Sequence, residues 1–124
     1  MPSTAHIAKS YFAGLQSGDL AQIPYAERVE LWTPLAPRGL SEAVLGATAV
    51  RAFFAAIVPL IARIEVLNVF ENGDWRAGRA HIHLANPERT ILHVMDIFHV
   101  RDGRIVFQEN HFDPRAALPA GGGN

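Results

Sequence analysis

An aspartate stands in the middle of a strongly apolar stretch. Asp96 lies within Leu92-His93-Val94-Met95-Asp96-Ile97-Phe98, where strand propensity disfavours a carboxylate and where burying one without a partner is unfavourable. A structural Asp96 would be satisfied by backbone groups or by Arg79. A functional Asp96 would be a carboxyl group in an apolar pocket, with a raised pKa and a role in proton transfer. Both interpretations are open at this point.

The nearest residues with matching chemistry are two histidines and a tyrosine. His81 and His83 lie two residues apart, so one strand would present both on the same face. They suit acid–base partners of Asp96, polar lining of a wet cavity, or a His-x-His plus carboxylate metal site. No other residues have metal-ligand spacing, so we predict no metal. Tyr11 falls on the apolar stripe of a helix, where a buried phenol needs a partner for its hydroxyl.

Hydrophobic periodicity indicates which elements position these residues. Apolar residues at helical spacing predict a helix over 5–17 and a second one from Val50 to Val58 that ends at Pro59. Alternation and turn residues predict strands over 28–33, 62–70, 74–84, 90–100 and 104–112. Helices followed by an antiparallel meander indicate an α+β fold in which the helices cover one face of the sheet.

The register of the hairpins decides which side chains share the covered face, because a slip of one residue exchanges the two faces. A tight turn at Pro87-Glu88 pairs Asn86 with Arg89. The covered face then carries Arg79, His81, His83, Leu92, Val94 and Asp96. The opposite face receives His93, Met95, Ile97 and His99.

The last hairpin has two readings. A three-residue loop at 101–103 makes Asp96 face Gln108, with glycine in the left-handed position of the turn. A loop shorter by one residue would instead put Glu109 and His111 beside Asp96.

Composition excludes several classes of function. The 124 residues are 49% hydrophobic and carry a formal charge of -1 without a basic block, which fits one soluble domain and argues against nucleic-acid binding. There is no cysteine, so disulfides, thiolate metal sites and a cysteine nucleophile are excluded. No apolar run is long enough to span a bilayer, so we expect a cytoplasmic protein without a membrane partner. We predict a single domain over 1–118 and a flexible tail over 119–124.

Three stretches resemble the nuclear transport factor 2-like superfamily, which includes steroid Δ-isomerases, SnoaL-like polyketide cyclases and limonene-epoxide hydrolases. The stretches are AKSYFAGLQSGDL (8–20), GATAVRAFF (46–54) and DIFHVRDGRIVFQENHFDPR (96–115). The resemblance implies a cone-shaped curved sheet wrapped around the N-terminal helices, with an apolar cavity inside and dimerisation through the sheet.

The steroid isomerases have a tyrosine at the place of Tyr11 and a protonated aspartic acid at the place of Asp96. The resemblance therefore implies that these two residues form an oxyanion-binding pair. The isomerase base is an aspartate just before a proline at the end of the first strand. This chain has Thr33 there, which argues against steroid isomerisation.

The other two groups differ in how many of their residues this chain retains. The epoxide hydrolases have Arg-x-Asp at the place of Arg79-Ala80-His81 and a second aspartate at the place of Asn110. They also have a tyrosine and an asparagine where this chain has Glu30 and Trp32, so their mechanism is not expected here. The polyketide cyclases use an aspartate at the place of Asp96 and a histidine on the preceding strand, which His81 or His83 would supply.

These arguments predict a cofactor-free enzyme that performs proton transfer on a small hydrophobic carbonyl or polyketide-like molecule. The predicted catalytic residues are Asp96, His81, His83 and Tyr11. The predicted substrate-binding residues are Trp32, Phe53, Arg79, Leu92, Val94, Phe98, Gln108 and Asn110. The alternative is a non-catalytic ligand-binding or dimerisation module in which Asp96 is structural. In either case, we predict a homodimer through the uncovered sheet face at Met95 and Ile97.

Overall fold

The computed structural model describes residues 6–117, which form two α-helices and six strands. The helices are Ile7–Ser17 (α1) and Ala47–Ile57 (α2). The strands are Tyr25–Trp32 (β1), Val44–Leu45 (β2), Ile61–Asn72 (β3), Trp75–Leu84 (β4), Ile91–Arg101 (β5) and Arg104–His111 (β6). Short 3₁₀ turns connect them, among them Val58–Leu60 directly after α2.

The strands form one curved, unclosed sheet in the order β2-β1-β6-β5-β4-β3. Neighbouring strands are antiparallel, except that β1 runs parallel to β6. Helix α1 packs on β3 and β4, while α2 packs on β1. The predicted α+β fold is confirmed. The short strand β2 was not predicted, since two residues leave no alternation to detect.

The core lies between the helices and the sheet. Gly78 of β4 allows the closest approach, because a Cβ atom there would lie 2.7 Å from Cε2 of Phe12 on α1. The ring of Phe12 therefore packs directly onto the sheet backbone. Gly78 is also the cross-strand neighbour of Asp96. On β4, the residue opposite Asp96 consequently has no side chain.

The β5–β6 hairpin turns at Asp102 and Gly103, which have φ angles of 53° and 76°. Positive φ at both positions is typical of the tight turn that matches strand twist. The predicted three-residue loop is therefore wrong. Beyond the turn, the register shifts by one residue between Val100 and His99, a β-bulge. This shift pairs Asp96 with Asn110, whereas the tight turn alone would pair it with Glu109 and the predicted loop with Gln108.

The β4–β5 hairpin has a longer loop than predicted, over residues 85–89. Leu84 N donates to Thr90 O at 2.9 Å, and Arg89 has a φ of 51°. The side-chain amide of Asn86 binds Thr90 within this loop. The predicted pairing of Asn86 with Arg89 is therefore wrong by one residue, and His81 pairs with His93 instead.

Because the observed register differs from the predicted one by one residue, Arg79, His81 and His83 lie on the sheet face that the helices leave uncovered, here named the open face. They share it with Met95, the partner of Arg79, and with Ile97. Arg79 Nε donates to Asn68 Oδ1 at 2.8 Å there. The predicted place of these three residues beside Asp96 is wrong, because side chains alternate between faces along a strand.

Trp32 also differs from its predicted place in the cavity wall. It pairs with Glu109 on the open face, and its Nε1 donates to Glu30 Oε1 at 3.3 Å. The predicted tail over 119–124 lies outside the described residues. Within residues 6–117, no helix is both long and apolar enough to cross a membrane.

Candidate functional site

Asp96 lies at the centre of β5, on the face that the helices cover. Its side chain is buried, with 2% of the residue exposed. Asn110 Nδ2, from β6, donates to Asp96 Oδ1 at 2.8 Å. The hydroxyl of Tyr11, from α1, stands beside the same carboxyl and donates to its charged form. Two strands and a helix thus converge on one carboxyl group.

Burial controls the protonation of this carboxyl. Loss of water raises the pKa of Asp96 from 3.8 to about 7, because the charged form is poorly solvated in the core. Hydrogen bonds from Asn110 and Tyr11 favour the charged form and oppose part of this rise. Asp96 is therefore present both as an acid and as a carboxylate near neutral pH.

Tyr11 stays protonated throughout this range. Burial raises its pKa well above 10, and the negative charge of Asp96 adds to the rise. Its ring packs edge-on against three phenylalanines, with centroids 5.0 Å from Phe12, 5.4 Å from Phe54 and 5.3 Å from Phe98. This packing fixes the ring and keeps a neutral hydroxyl at the carboxyl group.

A second polar pair lies deeper in the core. The hydroxyl of Tyr25 donates to Gln108 Oε1 at 2.6 Å, and burial raises the pKa of Tyr25 well above 10. Gln108 Nε2 makes no hydrogen bond with the described residues, although it lies near the Tyr11 hydroxyl. Gln108 shares a face with Asp96 but does not line the pocket.

A pocket of about 50 Å³ opens at Asp96. Its polar lining residues are Asp96, Asn110, Tyr11 and Thr33, and its other walls are apolar. The apolar lining residues are Leu15, Leu35, Phe53, Phe54, Ile57, Leu60, Ile61, Ile82, Leu84, Leu92, Val94 and Phe112. Within the described chain, no arginine, lysine or histidine lines this pocket.

The pocket includes six of the twelve predicted site residues, namely Tyr11, Phe53, Leu92, Val94, Asp96 and Asn110. Phe98 lies on the same face but is fully buried in the core, like Gln108. The other four, Trp32, Arg79, His81 and His83, lie on the open face. Thr33 was not predicted to line the pocket. Its position just before Pro34, where the isomerases place their base, was the available signal.

Two other surface features lie outside this pocket. A groove of about 570 Å³ between α1 and β3 is larger but contains none of the predicted catalytic residues. On the open face, the rings of His81 and His93 lie 4.3 Å apart, and Glu65 Oε1 lies 3.6 Å from a ring nitrogen of His81. Among residues 6–117, no cluster of three or more His, Asp or Glu side chains is arranged to hold a metal ion.

Comparison of the sequence with known protein families identifies the class of protein to which this fold belongs. The SnoaL-like domain model matches residues 8–108. The chain therefore belongs to the SnoaL-like domain family, within the nuclear transport factor 2-like fold. No curated protein sequence matches it closely enough to carry an argument.

Solved structures share the fold at low sequence identity. A protein from Kribbella flavida is 21% identical with a TM-score of 0.78, covering 93% of this chain and 92% of its own. A loop-truncation variant of IdmH is 16% identical with a TM-score of 0.78, covering 92% and 95%. An LEH-like epoxide hydrolase of M. tuberculosis is 14% identical with a TM-score of 0.73, covering 91% and 84%. These likenesses concern the fold alone.

Proposed function

We propose that the protein is an acid–base enzyme that moves a proton within a small, uncharged, mostly apolar carbonyl compound. The observation that carries this proposal is a buried aspartate that reaches a mostly apolar pocket, with no cation among the described lining residues. Arg79, the cationic partner expected for a structural Asp96, lies on the open face instead. Membership of the SnoaL-like family agrees with this proposal, since cyclases, isomerases and hydrolases share its fold.

In this mechanism, Asp96 is the proton carrier. Its ionised form takes a proton from the carbon beside the carbonyl, and the electron pair of that C–H bond moves toward the oxygen. The neutral acid then returns the proton to the same carbon or to another one. A pKa of about 7 suits both steps at neutral pH, because both forms of Asp96 are then available.

Tyr11 stabilises the negative oxygen that forms. Its raised pKa keeps the hydroxyl protonated. Before the reaction this hydroxyl donates to the ionised carboxyl; once Asp96 has taken the proton, the hydroxyl is free to donate to the enolate oxygen. Asn110 already donates to Asp96 and holds the carboxyl group in position. The contacts with the three phenylalanines hold the ring of Tyr11, so its hydroxyl is in the site before the charge on the substrate oxygen develops.

A direct test follows the exchange of the α-hydrogens of 2-butanone in D₂O by ¹H NMR. Asp96→Asn should exchange at the buffer rate, and Tyr11→Phe should lose about a hundredfold. Asp74→Asn is the matched control, because Asp74 is exposed in the β3–β4 turn, and it should exchange like the wild type. Wild-type exchange at the buffer rate, or full exchange in Asp96→Asn, would contradict the proposal.

The alternative is a ligand-binding module in which Asp96 only binds the carbonyl oxygen. The hydrogen bond from Asn110 favours it, because this amide already satisfies one oxygen of the carboxyl group without any proton transfer. The pocket itself is small, since about 50 Å³ lies well below the roughly 300–1,000 Å³ of drug-sized sites. In that case, 2-butanone would shift the carboxyl resonance of Asp96 without any exchange of its α-hydrogens. The same NMR sample distinguishes the two functions.

We also propose that two copies pair through the open face. Phe70 and Trp75 are 50% and 46% exposed there and line a shallow depression together with the half-buried Ile97. Met95 lies two residues further along β5 on the same face. Sedimentation velocity should detect a dimer that Met95→Lys dissociates, because association would bury the new charge. Leu45→Lys, on the separate edge strand β2, is the control and should leave the dimer intact. A wild-type monomer would contradict this proposal.

A further inference from the structure

The Asp96 pocket has a neighbour on the outside of the protein. A depression of about 110 Å³ is lined by Pro59, Leu60, Leu84, Ala85 and Asn86, between the 3₁₀ turn after α2 and the β4–β5 loop. Leu60 and Leu84 line both this depression and the Asp96 pocket. These two leucines therefore lie at the boundary between the two spaces.

One of these two side chains is weakly held. Leu60 is 53% exposed, whereas Leu84 is half-buried in the sheet. The backbone beneath Leu60 is fixed, because its carbonyl oxygen accepts a hydrogen bond from Ala85 N at 2.8 Å. A change of rotamer at Leu60 thus moves its side chain relative to both spaces without moving the turn or the loop.

We propose that the depression is the outer half of one binding site and that Leu60 limits the length of the ligand that this site accepts. The inference rests on the proposed function, because the inner half is the Asp96 pocket. It also resolves the small size of that pocket. The carbonyl head of a ligand would occupy the inner space, and its tail would displace the Leu60 side chain and extend into the depression.

The lining of the depression indicates the chemistry of the tail. Pro59, Leu60, Leu84 and Ala85 offer apolar contacts, and none of the lining residues is charged. The side-chain amide of Asn86 is already engaged, because its Nδ2 donates to Thr90 Oγ1 and its Oδ1 accepts from Thr90 N, both at 2.9 Å. The matching ligand is an elongated, uncharged carbonyl compound with an unbranched apolar tail.

The test uses 2-alkanones of increasing length, with affinities measured by NMR titration of the protein. Each buried methylene should strengthen binding about three- to fourfold. With the wild type, this gain should weaken when the tail reaches Leu60. With Leu60→Ala, the gain should continue to longer tails. With Leu60→Trp, long ketones should lose at least about tenfold in affinity relative to 2-butanone measured with the same variant.

Leu45→Ala is the matched control, because Leu45 is a 67% exposed leucine on β2 that lines neither space. Both positions are exposed, so all variants should fold. If the length profile is the same in every variant while 2-butanone binds and exchanges, the outer half-site is wrong and the proposed function stands. If no ketone binds to any variant and α-hydrogen exchange stays at the buffer rate, both are wrong.

Discussion

Replacing Asp96 by asparagine should change how the stability of the protein depends on pH. The folded-state pKa of Asp96 is about 7, against 3.8 for the unperturbed group. Between these values the folded protein retains a proton that the unfolded chain releases. The contribution of Asp96 to stability is therefore fully present below pH 4 and is lost as the pH rises toward 7.

The size of this effect follows from the pKa difference. Each unit corresponds to about 1.4 kcal/mol, so the free energy of unfolding should fall by about 4 kcal/mol between pH 4 and pH 8 on account of Asp96 alone. Asp96→Asn has no such proton. Its stability relative to the wild type should therefore rise by about that amount over the same range.

Urea unfolding at pH 4, 5, 6, 7 and 8 measures the difference. Asp74→Asn is the control for the loss of an exposed carboxyl group, and its difference from the wild type should change little. A constant difference between Asp96→Asn and the wild type would refute the reasoning. A difference of opposite sign would mean that the folded protein prefers the carboxylate.

Three other substitutions have defined outcomes. Asn110→Leu removes a donor to the charged form of Asp96, so the carboxyl titration should move further above pH 7; a downward shift would contradict the assigned contact. Gly78→Ala places a methyl group 2.7 Å from the Phe12 ring, and thermal unfolding should show a loss of about 1–3 kcal/mol. His81→Gln should leave ketone exchange unchanged, because its side chain lies on the open face; a large loss would give the histidine back a role at the site.

The order of the elements could be predicted from sequence because the hydrophobic period of a long segment distinguishes a helix from a strand. The register of the hairpins could not be predicted. The β4–β5 loop depends on Arg89 adopting a positive φ and on Asn86 binding Thr90, and neither choice is apparent from residue types alone. A shift of one residue then moved His81 and His83 to the opposite face of the sheet.

The last hairpin shows the reverse outcome. The tight turn at Asp102 and Gly103 would have placed Glu109 beside Asp96, but the bulge before Val100 shifts the strand by one further residue. Gln108 and Asn110 consequently lie on the face of Asp96, as predicted, although the predicted loop was wrong. Asp96 itself could be found because burying an unpaired carboxylate in an apolar strand is unfavourable, so such a residue indicates a partner or a function.

Titration of the Asp96 carboxyl carbon by ¹³C NMR tests the central claim most directly, with Asp96→Asn to assign the resonance. The account predicts a midpoint at about pH 7, because burial outweighs the hydrogen bonds from Asn110 and Tyr11. Addition of 2-butanone should shift this resonance, since the carboxyl group lines the pocket. A midpoint at or below about 4, the ordinary value for aspartate, would contradict the account and leave Asp96 a structural carboxylate.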